Sequence, residues 1–287
     1  MLQTTLAGEA RVSGLGIHGG LPATLTLRPA PADHGVVFRR TDVAGAPIPA
    51  LATRVCDTRL ATVIREGDGP TISTVEHVMA ALAGLGVDNA VVEVDGPEVP
   101  IMDGCAGEFS AAIEAAGVAQ LPDARRYAEI VAPIEVVDGG KRAALVPARR
   151  FEMSVEIVFD SPAIGRQQLD LAIAPASFRS ELAAARTFGF LHEVEQLRAA
   201  GLGRGADLSN TVVVDGDHVM NPETLRRPDD FVRHKALDAL GDLALFGHPI
   251  LGRYEASCSG HALNNALVRA ALARSDAWRL VTTNAQA

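Results

Sequence analysis

Aromatic side chains are scarce, at 4% of the 287 residues, and basic residues are outnumbered, 26 Lys and Arg against 35 Asp and Glu. The formal charge of −9 and the shortage of stacking platforms exclude a general nucleic-acid binder, which needs a basic footprint. A locally basic pocket for one small anion stays compatible with that balance. Cysteine is nearly absent: Cys56, Cys105 and Cys258 are odd in number and form no CxxC pair. This excludes a disulfide scaffold and a cysteine zinc site, and predicts free thiols in a reducing, cytoplasmic setting. No run approaches the ~20 apolar residues of a spanning helix. The best candidate, Leu237–Leu251, is interrupted by Asp238, Asp242, His248 and Pro249. The first ten residues lack a basic stretch followed by an apolar block, so no signal peptide is expected. His-Glu-x-x-His is missing as well, which excludes a zincin protease.

What is present is an ordinary globular composition, 48% hydrophobic, long enough for about two domains at roughly 150 residues each. The first third alternates like strands, as in Ala23–Arg28 and Gly35–Phe38. Thr74–Leu85 and Phe109–Ala116 have helical spacing, and Ala90–Val94 reads as a buried strand. Leu121–Arg126 is polar and carries a proline, so the domains are expected at 1–123 and 127–287. The second half restarts with strands at Ala128–Val137, Arg142–Val146 and Phe151–Phe159. Helices follow near Ser180–Ala185 and Leu191–Ala200, then a strand at Thr211–Val214, then helices at Asp229–Phe246 and Ala262–Arg274. Strands first and helices later, twice over, predicts two α+β domains. Gly14-Leu-Gly16-Ile-His-Gly19 matches GxGxxG, but Pro22 and an alternating run follow it. The context is therefore a hairpin, without the helix a dinucleotide fold requires.

Three of the eight histidines stand in suggestive company. His77 follows Glu76 in Ser73-Thr-Val-Glu-His77, where Ser73 and Glu76 also fit a capping box. His234 and Asp238 lie four residues apart on one face of a predicted helix, and Asp242 continues that stripe. Such a stripe serves either an ion or a solvated surface. His261 sits after Gly260 near a helix start, where the glycine permits close approach of a ligand. Together these groups compose a catalytic metal site. Two imidazoles and one carboxylate leave a fourth position for water, with Glu76 to accept a proton and a second histidine to donate one.

Seven ordered segments carry a family resemblance over nearly the whole chain. They are Gly14–Gly19, Thr74-Val-Glu-His77, Ala80–Asn89, Pro100-Ile-Met-Asp-Gly104, Ala185-Arg-Thr-Phe-Gly-Phe190, Phe231–Asp242 and Ser259–Asn265. The chain resembles the UDP-3-O-acyl-N-acetylglucosamine deacetylases of lipid A synthesis. That resemblance implies two β/α sandwich domains, each with a small insert, and an active site between them. It implies Zn2+ held by His77, His234 and Asp238, with Glu76 as base and His261 as general acid or cationic stabiliser. Asp242 would orient His261, and Thr187 would contact the oxyanion. Lys235, Phe188, Phe190, Phe159 and Lys141 would contact the substrate, a UDP-linked acylated amino sugar. The second insert, near 190–215, would line a passage for the hydroxyacyl chain with Leu191, Val194, Leu197 and Leu202. No nucleic-acid partner is implied, and a monomer is expected. Two positions depart from the family pattern: Cys258 stands where a lysine is common, and Phe159-Asp-Ser-Pro162 where Phe-x-His-Pro is common. Both fall on the nucleotide side, which keeps a related zinc amidohydrolase acting on another N-acylated amino sugar as the alternative. A non-catalytic binding protein would have no need of base, acid and ligands together. Nitrogen and oxygen donors alone also leave iron open as the native ion.

Overall fold

Period-two burial selects the strands. In β3 (Pro22–Pro29) Ala23, Leu25 and Leu27 turn inward while their neighbours face out. The computed structural model describes residues 1–282. Among these, β3 is joined to β2 (Ala10–Leu15) and β9 (Ala90–Val94), and β9 to β4 (Val36–Arg40), which pairs with β5 (Ile48–Pro49). The first half also holds the small sheet β6 (Val55–Asp57), β7 (Val63–Arg65) and β8 (Thr71–Ile72). A second large sheet belongs to the later part of the chain. Its order is β12 (Ile134–Asp138), β13 (Lys141–Val146), β19 (Ile250–Ser257), β11 (Arg126–Ile130) and β20 (Trp278–Thr282). β14 (Phe151–Val158) pairs with both β19 and β15 (Arg166–Ala172). A three-stranded sheet of β16 (Phe188–Phe190), β17 (Val212–Asp215) and β18 (His218–Val219) carries the insert.

The helices meet between these sheets. α1 (Glu76–Gly84) packs on α2 (Gly107–Ala116) and on α5 (Asp230–Ala244), and α5 packs on α6 (His261–Ala273). α2 rests on β2, while α5 and α6 rest on the second large sheet. The arrangement is α+β, layered as expected. α1 is buried almost all round, from Glu76 and His77 through Leu82, as befits a helix enclosed between layers. α3 (Pro175–Ser177) is a single turn, and α4 (Val194–Ala199) belongs to the insert.

Several sequence expectations shift. The polar stretch expected to link the halves lies largely within β10 (Val118–Ala124), which pairs antiparallel with β1 (Leu2–Leu6). Its proline is tolerated because β10 is an edge strand, with β1 its partner in a two-stranded sheet. Ala128–Val137 is two strands, because Ala132 and Pro133 break it between β11 and β12. The helix expected from Thr74 begins at Glu76, since Thr74 has a φ of 61° that no helix continues. The capping box is not formed: Val75 occupies the cap position, and Glu76 is turned inward to another partner. The helix expected at Ser180–Ala185 is a wide helical turn, Phe178–Leu182. The GxGxxG segment spans the β2–β3 hairpin, as its sequence context predicts.

Candidate metal and acid–base site

One glycine brings the two central helices into contact. A Cβ on Gly241 would lie 2.0 Å from the Glu76 carbonyl oxygen, so only glycine lets α5 approach the first turn of α1. That approach sets Glu76 and His77 against the stripe of His234, Asp238 and Asp242. All five side chains are buried, which decides against the solvated-face reading of the stripe.

His77, His234 and Asp238 converge, with their donor atoms all within 4.8 Å of one another. Asp238 Oδ1 is 3.4 Å from His77 Nε2 and 3.3 Å from His234 Nε2. These separations are too long for good hydrogen bonds. They match the ~3.3 Å between neighbouring ligands of a tetrahedral ion with bonds of about 2.0–2.1 Å. Asp238 Oδ1 is buried without a hydrogen-bond partner among the described residues, an expensive state for a carboxylate unless a cation completes it. The His234 Nδ1–H donates to the Ala185 carbonyl at 3.2 Å, which leaves the Nε2 lone pair facing Asp238. Burial lowers His234 to about 3, so its imidazole is neutral, as a ligand must be. Burial works against the charge on Asp238, but the Lys235 ammonium is among the groups that hold it well below the usual carboxylate range. Lys235 Nζ donates to Asp238 Oδ2 at 3.0 Å. The donor set therefore fits a divalent ion.

Beside it stand a carboxylate and an imidazole, Glu76 and His261. Glu76 Oε2 accepts the Thr62 N–H at 2.9 Å, and Glu76 Oε1 lies 3.9 Å from His261 Nε2. Burial raises the Glu76 pKa, with His261 and His77 pulling it back down. His261 Nδ1 donates to Asp242 Oδ2 at 2.9 Å. Burial opposes protonation of His261, but Asp242 and Glu76 outweigh it and raise the group to about 10. Asp242 is itself held on both oxygens, by the Thr62 hydroxyl at 2.6 Å and by Asn264 Nδ2 at 2.9 Å. Asn264 Oδ1 in turn accepts from the hydroxyls of Tyr254 and Ser259, each at 2.6 Å. A base, an imidazolium and a metal site within one buried seam can hydrolyse an amide.

The aromatic residues gather at one edge of this seam. The Phe188 ring lies 6.3 Å from that of His234, 5.6 Å from Phe159 and 6.4 Å from Phe190. Lys235 Nζ sits 5.4 Å from the Phe188 centroid. Thr187, just before Phe188, is fixed through its backbone: its N–H donates to Gly104 and its carbonyl accepts from Val212. Lys141 stays apart, exposed at the β12–β13 turn on the same end of the sheet as Cys258. Thr62, Tyr254, Asn264 and Gly241 shape this site and are not anticipated from the sequence. Gly241 and Asn264 stand inside segments that carry the family resemblance, but nothing local to Thr62 or Tyr254 signals a role.

The sequence profile of the family described as UDP-3-O-acyl N-acetylglycosamine deacetylase matches residues 3–273. A protein of Phenylobacterium zucineum (strain HLK1) named UDP-3-O-acyl-N-acetylglucosamine deacetylase is 57% identical over 284 residues, covering 98% of this chain and 97% of the relative. Proteins of the same name from Myxococcus xanthus (strain DK1622) and Citrifermentans bemidjiense are similar too. The first is 50% identical over 97% of this chain and 89% of its own length. The second is 49% identical over 100% and 94% respectively.

Proposed function

The chain belongs to the UDP-3-O-acyl-N-acetylglucosamine deacetylase family, and from that premise we propose how its residues carry the reaction. It is a hydrolase that removes the N-acetyl group of a UDP-3-O-acyl-N-acetylglucosamine in lipid A biosynthesis. Water adds to the acetyl carbonyl, the C–N bond breaks, and acetate and the free 2-amine leave. The carrying observation is the unpartnered, buried Asp238 Oδ1 between the His77 and His234 imidazoles, next to the ion pair of Glu76 and His261.

In this reading His77, His234 and Asp238 hold one zinc ion. When bound, zinc supplies Lewis acidity, polarising the amide carbonyl and favouring ionisation of water near neutral pH. Glu76 takes the proton of the attacking water through Oε1, while its Oε2 stays tied to the Thr62 amide. His261 stands protonated across from Glu76, and its Nε2–H stabilises developing negative charge and then protonates the departing amine. Asp242 keeps the Nδ1–H of His261 engaged, so the Nε2 is the end presented to the cleft. The Thr187 hydroxyl steadies the oxyanion, and Lys235 balances charge at the substrate. Phe159, Phe188 and Phe190 offer apolar faces to the sugar nucleotide, and Lys141 a charge to the diphosphate. The insert, with no residue of α4 fully buried, leaves Val194 and Leu197 available to the acyl chain rather than to a core.

We read the division near Arg125 as the domain boundary, since no sheet among the described residues mixes strands from before and after it. The free thiols of Cys56, Cys105 and Cys258 support a cytoplasmic compartment, and we read the chain as a monomer. No helix among the described residues is long and apolar enough to cross a membrane. The test is turnover of UDP-3-O-hydroxyacyl-N-acetylglucosamine by metal-quantified protein, with and without chelator. About one zinc per chain and activity lost on chelation are expected. Full turnover by chelated, zinc-free protein would refute the metal assignment, and equal rates with a nucleotide-free substrate would favour the alternative amidohydrolase.

A further inference from the structure

The glycine-rich segment does cradle an anion, but the anion is the protein's own. Glu98 is buried, and its carboxylate fills the space left by the glycines: a Cβ on Gly16 would fall 2.3 Å from Glu98 Oε2, and one on Gly19 3.2 Å from it. The His18 and Gly19 N–H groups donate to Glu98 Oε1 and Oε2, each at 2.8 Å. With those donors spent, the loop has no phosphate cradle to offer.

The third partner of Glu98 is the Thr74 hydroxyl, at 3.0 Å to Oε1. Thr74 immediately precedes Val75, Glu76 and His77, the cap, base and first metal ligand of α1. The backbone of this segment is also laced to the Glu98 segment, Ser73 N–H to the Pro97 carbonyl at 2.9 Å and Val99 N–H to the Ser73 carbonyl at 3.0 Å. On its other side, the same loop carries the insert. The His18 carbonyl accepts the Arg204 N–H at 3.1 Å, and the Ile17 carbonyl accepts the Gly205 N–H at 3.0 Å. Gly205 can approach only because it lacks a side chain, since its Cβ would meet the Gly16 carbonyl oxygen at 2.3 Å.

We propose that Glu98 is a positioning residue that couples the insert to the base-bearing end of α1 through the Ile17–Gly19 peptides. The geometry makes this a short, closed chain. The insert pulls on the carbonyls of Ile17 and His18, the N–H groups of His18 and Gly19 pull on one carboxylate, and that carboxylate holds Thr74. Charge-assisted hydrogen bonds are stronger than neutral ones, so a single buried carboxylate with three donors is a stiff junction. An acyl chain ordering the insert would thereby firm the placement of Glu76, so that binding far from the amide raises kcat instead of only lowering KM.

This inference rests on the deacetylase reading, and the experiment keeps the two apart. Glu98→Gln and Gly205→Ala attack the chain from opposite ends, singly and together. Hydrogen–deuterium exchange is followed by mass spectrometry in the free protein, alongside kcat for UDP-N-acetylglucosamine with and without its 3-O-hydroxyacyl chain. Glu98→Gln should raise exchange at 201–206 as well as at 16–20 and 73–77, and Gly205→Ala should raise it at 73–77, because coupling is reciprocal. In both variants the kcat advantage of the acylated over the unacylated substrate should shrink by about fivefold or more, and the double variant should lose little beyond either single one. Exchange confined to the mutated segment, or equal losses of kcat on both substrates, would overturn the coupling. If Glu98→Gln does not fold, Gly205→Ala alone decides for or against the coupling by its exchange at 73–77. If the wild type turns over neither substrate, the functional reading fails, while the exchange data still decide whether the junction transmits.

Discussion

The α1–α5 seam and the insert serve the same substrate in the proposed reaction, yet they are built in opposite ways. The seam is made of side chains. Glu76, His77, His234, Asp238 and Asp242 are buried, and Glu76, Asp242 and His234 are tied by Thr62, Asn264 and the Ala185 carbonyl. Helix meets helix at Gly241 with no room for a methyl group. The helical part of the insert is less enclosed, and its contact with the 16–20 loop runs through backbone. No residue of α4 is fully buried, and Arg204 and Gly205 dock through their amides. Chemistry needs groups fixed to a fraction of an ångström, whereas selection of a flexible chain needs a wall that can adjust. The two demands are met by different materials in one molecule.

The sharpest way to break this contrast is to remove a ligand. Asp238→Ala or His77→Ala should abolish stoichiometric metal and lower kcat at least about 10³-fold, since the Lewis acid is worth several kcal/mol and each 1.4 kcal/mol is tenfold. Metal analysis beside steady-state rates checks it, and full metal content in either variant would contradict the ligand set. Next come the proton carriers: Glu76→Gln and His261→Ala should each cost about 10²–10⁴-fold in kcat with metal retained.

The pH profile refines the same side of the comparison. Burial raises Glu76 and so moves the ionisation of the base up, giving an ascending limb above the ordinary carboxylate range. Asp242 and Glu76, against burial, raise His261 to about 10, so activity should fall only as pH climbs towards that value and the proton is lost. A bound dication would draw both limbs downward. Glu76→Gln should erase the ascending limb and His261→Ala the descending one. A profile unchanged in both would sink the assignments.

Smaller effects probe the packing. Gly241→Ala should cost about 1–3 kcal/mol of stability through overpacking, read from a urea midpoint, and displace Glu76 as well. The mildest change is expected in the insert. Leu197→Ala should alter stability by only about 0.5 kcal/mol, while shifting the relative rates of long- and short-chain substrates. A large loss of stability there would place Leu197 in a core and erase the distinction between the two regions.

Much of the seam is legible in the sequence. His234, Asp238 and Asp242 recur at helical spacing, which implies one shared face without any knowledge of packing, and the helix runs from Asp230 to Ala244, within a residue or two of expectation. Local pattern misleads at Ser73 and Glu76, whose spacing mimics a capping box. The buried Thr62 amide outcompetes the helix terminus for that carboxylate, because enclosure within the seam makes the bond more valuable. The strand β19, central to its sheet, leaves little local signal. Its inward residues include Gly252 and Ala256, too small to mark it by hydrophobicity.

Helix faces, hairpins and the shared face of His234, Asp238 and Asp242 are written in neighbouring residues, because they depend on periods of two and 3.6. Whether the proposed ligands ever meet is not. His77 and His234 belong to different helices, Thr62 reaches Asp242 across 180 positions, and Glu98 fills a loop some 80 positions away. Such contacts exist only once segments far apart in the chain pack together, across the two halves for Thr62 and Asp242 and within the first half for Glu98. The close approaches of Gly241 to Glu76 and of Gly16 to Glu98 are properties of tertiary packing, and no local stretch of sequence contains them.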